Sequence, residues 1–251
     1  MGEVDGVSTS NPLLRPDRFA SGGWYGGANP MTVGGVVLKT GILLAFVWVA
    51  ALYVWNSYYT LGPASVSSWL LIGIVGGLVT GLVTAFVPRL APVSAPLYGL
   101  FQGLFLGAIS AYMEAALPGI VLQAIGLTFA VLAAMLVLYA TGAIRVTQTL
   151  RTVVLAATLG IFIAYLASFI LSFFGIFAPF IYGGGPLGIG FSLFVIGVVA
   201  FNLLIDFDNI DRGVHSGAPK VMEWYAAFGL MVSLIWLYFE ILRLLSKLRQ
   251  R

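Results

Sequence analysis

The residues best suited to handle a cation lie in one stretch, Asn202-Leu-Leu-Ile-Asp206-Phe-Asp208-Asn209-Ile-Asp211-Arg212. On a helix, Asn202, Asp206 and Asn209 fall at i, i+4 and i+7 and form one polar stripe, with Leu and Ile opposite. Asp206 is the deepest acid of the group, one to two turns inside the end of an apolar segment. A carboxylate there is costly to ionise unless a cation or hydrogen bonds compensate. It could bind a cation when ionised and release it when protonated. Asp208 and Arg212 are i, i+4 partners nearer the water; Asp208 is also a candidate for lining an ion path. The spacing of Asp206, Asp208 and Asp211 does not make a calcium loop, because Ile210 and Asp211 stand where such a loop needs an oxygen ligand and a glycine.

Other polar groups are scattered along the apolar segments. Glu240 lies near the far end of the last one, three residues before Arg243, so an interfacial ion pair and a permeation role are both open to it. Ser233, two turns earlier on the same face, could add a hydroxyl. Gln102 is either an interhelical hydrogen-bonding group or a lining residue. Lys39 is placed to snorkel to the interface. Glu114 and Glu223 are expected at helix ends within reach of water.

The elements that must position these groups follow from composition. The chain has 251 residues, 60% hydrophobic and 8% charged, against about 25% charged in a soluble domain. That excludes a soluble fold and predicts an all-α, polytopic membrane protein. Seven apolar segments are expected at about 33–55, 67–87, 95–115, 119–139, 152–174, 186–211 and 221–245. Pro63, the 88–96 stretch, Leu117-Pro118-Gly119, Thr141-Gly142 and Gly217-Ala218-Pro219 separate them. Residues 1–32, rich in Gly, Ser, Asn and Pro, read as a disordered cytoplasmic tail, and 33–251 as the transmembrane domain. The first apolar segment lacks the pattern of a cleaved signal and is expected to be a retained anchor. Gly77 and Gly81, then Gly99, Gly103 and Gly107, recur at four-residue spacing. They suit close helix packing, within one bundle or across a dimer.

Lys and Arg in the short loops predict orientation. With the N-terminus cytoplasmic, that side receives Arg15, Arg18, Lys39, Arg89, Arg145, Arg151, Arg212 and Lys220, and the loops after segments one, three and five contain none. Seven spans then leave Arg243, Lys247, Arg249 and Arg251 outside, a conflict that a re-entrant last segment would remove.

The scarce residue types exclude much chemistry. There is no cysteine and one histidine, His215, so thiolate catalysis, disulfides and multi-histidine metal centres are out. A net charge of +3 with scattered basic residues gives nucleic-acid binding no support. No hydrolase or phosphate-binding motif is present, and no second Asp lies in another apolar segment for an aspartyl dyad. An enzyme is not expected, nor a cofactor.

Several segments together resemble the Bax-inhibitor-1-like membrane proteins. They are Ile-Asp206-Phe-Asp-Asn-Ile closing segment six and the Glu240-Ile-Leu-Arg-Leu-Leu ending. Ser10-Asn-Pro-Leu-Leu, Pro88-Arg-Leu-Ala-Pro, Gly103-Leu-Phe-Leu-Gly-Ala-Ile-Ser, Pro118-Gly-Ile-Val-Leu-Gln-Ala and Tyr139-Ala-Thr-Gly-Ala-Ile-Arg-Val-Thr resemble the bacterial branch. The resemblance implies six helices around a central seventh, a pH-sensitive calcium leak, and a bacterial cytoplasmic membrane. It also implies a gate of two proton-sharing aspartates. The first matches Asp206, which would hold calcium as the transported ion; the second falls at Ser233, which cannot ionise. A second role within the family is a non-conducting modulator of a partner such as a membrane protease.

Overall fold

The computed structural model describes residues 30–175, 181 and 183–249. The tail expected over 1–32 lies outside them except for its last three residues. Those three are ordered against the body: Pro30 bridges Pro219, the Met31 N–H donates to the Ala218 carbonyl at 2.7 Å, and the Met31 side chain is buried.

Seven long helices follow among the described residues: α1 (Val33–Leu61), α2 (Ser67–Phe86), α3 (Ala91–Ala116), α4 (Ile120–Ala140), α5 (Gln148–Ser172), α6 (Pro186–His215) and α7 (Met222–Arg249). Each belongs to a segment long and apolar enough to cross a membrane. Local chemistry sets several ends. The Thr32 and Thr147 hydroxyls accept from the Gly35 and Leu150 N–H groups at the starts of α1 and α5. Glu114, at a helix end within reach of water as expected, accepts from the Gly119 and Val121 N–H groups at 2.5 and 3.0 Å, tying the end of α3 to the start of α4. The left-handed backbone of Gly119, φ 80°, makes that tight turn possible.

The surface is apolar: Val37 and Leu38 of α1, Leu71 of α2, Leu122 of α4 and Phe162 and Ile163 of α5 are all more than half exposed. Exposed side chains of this size on every flank suit hydrocarbon, so the bundle is an integral multi-pass membrane protein. Fully buried Met231, Leu237 and Leu242 of α7 pack with Leu43 of α1 and Leu203 and Leu204 of α6 in the core. α7 packs against α1, α3, α4 and α6 and touches α2. The central-helix arrangement therefore holds, with one departure: α5 sits at the periphery against α6 and reaches α7 through the side chain of Tyr165.

α7 is one continuous helix, which removes the re-entrant alternative. Its last turns lie beside the α3–α4 connection, at the end of the bundle opposite the start of α1. The described basic residues of its last turns are each held by acceptors there. Arg249 donates to the Leu117 and Pro118 carbonyls, Lys247 is buried, and Arg243 pairs with Glu240.

The glycine spacing serves packing inside the bundle. A Cβ at Gly103 would overlap the Val47 carbonyl and stand 2.7 Å from the Ala50 methyl carbon, and one at Gly107 would stand 2.7 Å from Ala51 backbone atoms. The α1 and α3 backbones meet along this line. Gly103→Ala is expected to destabilise the purified protein by about 1–3 kcal/mol, because the obstruction is backbone that cannot rotate away. Thermal unfolding in detergent checks this against Gly126→Ala, where the added carbon meets nothing within 4 Å.

Candidate functional site

α6 and α7 are adjacent antiparallel helices, and the site lies on their facing surfaces. Asp206 sits about two and a half turns before α6 ends, half-buried, and its Oδ2 accepts from the Ser233 Oγ at 2.5 Å. α7 thus meets Asp206 through the Ser233 hydroxyl.

The rest of the expected polar stripe does not join them. Asn202 donates to the Thr158 hydroxyl of α5 at 3.0 Å and to the Val198 carbonyl of its own helix at 3.2 Å. Asn209 is exposed and accepts from Arg151 at 2.8 Å. Both amides therefore face α5, because seven residues are just short of two full turns and α5 rather than α7 lies over that edge of α6. Asp208, a candidate lining residue, is committed to two cations. It pairs with Arg151 of α5 and, at 2.7 Å, with Arg212, so it fastens α5 to α6. Gln102 is also elsewhere: its amide packs over Gly77 of α2, on the side of α3 away from Asp206.

Glu240 is fully buried rather than interfacial. Its Oε2 accepts from the Tyr165 hydroxyl at 2.9 Å and lies 3.4 Å from Arg243, whose guanidinium also donates to Tyr165 at 2.6 Å and stacks over its ring. Oε1 has no hydrogen-bond partner among the described residues. Glu240 stands two turns beyond Ser233 on the same face, about 10 Å further along α7.

Glu223, expected in water, is fully buried near the start of α7. It accepts from the Thr32 N–H and hydroxyl at 2.9 and 3.0 Å and pairs with Lys39 and, at 2.9 Å, with Lys220. Lys39, expected to reach the interface, is turned inward to this carboxylate. Gly35 leaves the room it needs, since a Cβ there would collide with the carboxylate. Lys247, seven residues beyond Glu240, is also buried. The sequence carried a signal for Lys247, the continuation of the seven-residue spacing from Ser233 through Glu240. It carried none for Tyr165, one hydroxyl in an apolar helix, or for Glu223, whose partners are remote in the chain.

Charge pairing sorts the six described acids. Asp208 has Arg151 and Arg212, Asp211 has His215 at 3.3 Å, Glu223 has Lys39 and Lys220, Glu240 has Arg243, and Glu114 caps a helix. Asp206 alone has neither a basic partner nor a cap among the described residues; its partner there is a hydroxyl. No group of three His, Cys, Asp or Glu side chains converges anywhere in the described residues, so Asp206 and Ser233 offer a cation three side-chain oxygens and not a closed cage.

Comparison with curated proteins and with solved structures finds no significant match. The family model described as Bax inhibitor 1 like matches residues 11–250, nearly the whole chain. The chain, seven spans with an acid closing the sixth and a buried acid on the seventh, belongs to the Bax inhibitor 1 like family.

Proposed function

We propose that this protein is a passive, pH-sensitive leak for calcium, or cations of its class, along the α6–α7 seam past Asp206, Ser233 and Glu240. The observation that carries this reading is the lack of a countercharge at Asp206 among the described residues. A carboxylate inside a span, held only by a hydroxyl, has its charge balanced by a proton or by a passing cation. Either occupant makes the site sensitive to pH. The loop charges support a cytoplasmic N-terminus, and the family resemblance supports a bacterial cytoplasmic membrane.

The alternative, a non-conducting modulator of a partner such as a membrane protease, draws on the anchoring of Pro30–Thr32 beside α7. Removal of residues 1–29 separates the two. In liposomes containing only this protein, calcium influx is expected to persist in the truncated chain at more than about half its full-length rate, because the path lies wholly within the helices. Influx lost with the tail, or absent in both proteins, contradicts the leak.

A further inference from the structure

Ser233, Glu240 and Lys247 occupy every seventh position of α7 and so share one face of it. Asp206 meets the first and Tyr165 with Arg243 the second. At the third, the Lys247 ammonium donates to the Ile181 carbonyl at 2.7 Å, the Gly188 carbonyl at 3.0 Å and the Ser192 hydroxyl at 2.8 Å. Lys247 is 4% exposed, and Ile181 and Ser192 are fully buried. All three of its protons are used, all on neutral oxygens, and no acid pairs with it among the described residues.

A lysine two residues from the end of its helix could reach the interface at little cost. This one is turned inward, across the line from Ser233 and Glu240 to the membrane face where α7 ends. A cavity of about 230 Å³ lies beside it between α3 and α7, lined by Ile109, Met113, Phe239, Arg243 and Ser246 as well as Lys247. The side chain therefore has both a seat and room to leave it.

We propose that Lys247 is the stopper and selectivity residue of the far mouth: seated on Ile181, Gly188 and Ser192 it bars a divalent cation, which passes only when the seat is vacated. This inference rests on the proposed cation path. A fixed positive charge in a low-dielectric passage repels a divalent ion twice as strongly as a monovalent one. The stopper therefore suppresses calcium more than sodium or potassium.

The chain has no cysteine, so Ser192→Cys supplies a single reporter thiol within the seat, where the Ile181 and Gly188 carbonyls still hold Lys247. In sealed vesicles, labelling of that thiol by a membrane-impermeant maleimide is expected to be at least about tenfold faster with Lys247→Met than with Lys247 present, since Met keeps the bulk but makes none of the three bonds. Calcium influx through Lys247→Met in the otherwise unaltered chain is expected to rise at least about fivefold, and more than potassium influx. Ser192→Ala, which removes one acceptor, is expected to raise it less and serves if Lys247→Met does not yield monodisperse protein. Unchanged labelling and unchanged influx overturn the stopper. Faster labelling with no calcium influx in any of these proteins overturns the leak, and the stopper with it, and leaves Lys247 only as a side chain that closes its seat to water; faster labelling with calcium influx present but unchanged overturns the stopper alone.

Discussion

Glu223→Ala is expected to destabilise the protein by about 3–5 kcal/mol, the cost of breaking a buried ion pair by removing one partner. The size follows from what the carboxylate holds. It is fully buried and joins Thr32 and Lys39 at the start of α1 to Lys220 just before α7. Without it, Lys39, only 13% exposed, loses its counterion. The Thr32 N–H, a donor with no partner within its own helix, loses its acceptor as well. Glu223→Gln should cost less, because it retains oxygen and volume but not charge. Thermal unfolding of both variants in detergent checks the order, and a double variant, Glu223→Ala with Lys39→Met, should recover part of the loss.

Asp206→Asn is expected to lower calcium influx at least about tenfold at pH 8 while leaving thermal stability unchanged or slightly higher. Asn keeps the shape and can still accept from Ser233, so the fold loses no contact. What disappears is the charge. A unit charge about 4 Å from a cation contributes on the order of 4 kcal/mol at an effective dielectric of 20, well above the 1.4 kcal/mol of a tenfold rate change. A merely structural acid would show the opposite pair of results, lower stability with flux retained. Asp208→Asn is the matching control: it leaves Arg151 and Arg212 without their shared carboxylate and should cost stability rather than flux.

The sequence was informative where the signal was periodic and local. Apolar runs and Pro/Gly breaks marked all seven helices, several to within two residues, although α1 and α6 run on to Leu61 and His215 through residues too polar to count as span. The four-residue glycine spacing marked close helix contacts but not their partners, which are α1 for Gly99, Gly103 and Gly107 and α3 for Gly77 and Gly81. Asp206 stands out in the sequence as an acid inside an apolar segment and Ser233 as a hydroxyl on the Glu240 face of the last one, and their direct contact comes from the structure. The side chains that the sequence misplaced are those whose environment depends on remote residues. Glu223 and Lys39, 184 positions apart, were each assigned to water or the interface, and together they form a buried pair. The stripe Asn202–Asp206–Asn209 was correct as a register but not as a destination, because helical spacing does not reveal that α5 covers one edge of α6 and α7 the other.

Under the proposed function Asp206, which has no countercharge among the described residues, makes the cation path sensitive to protons. It is tested most directly by calcium influx into liposomes containing only this protein, measured from about pH 5 to pH 8 for wild type and Asp206→Asn side by side. A cation is attracted only by the ionised carboxylate, so wild-type influx should rise with pH over this range while the Asn variant stays low and flat. Equal influx in the two proteins at every pH, or a pH dependence that survives in Asp206→Asn, would contradict it.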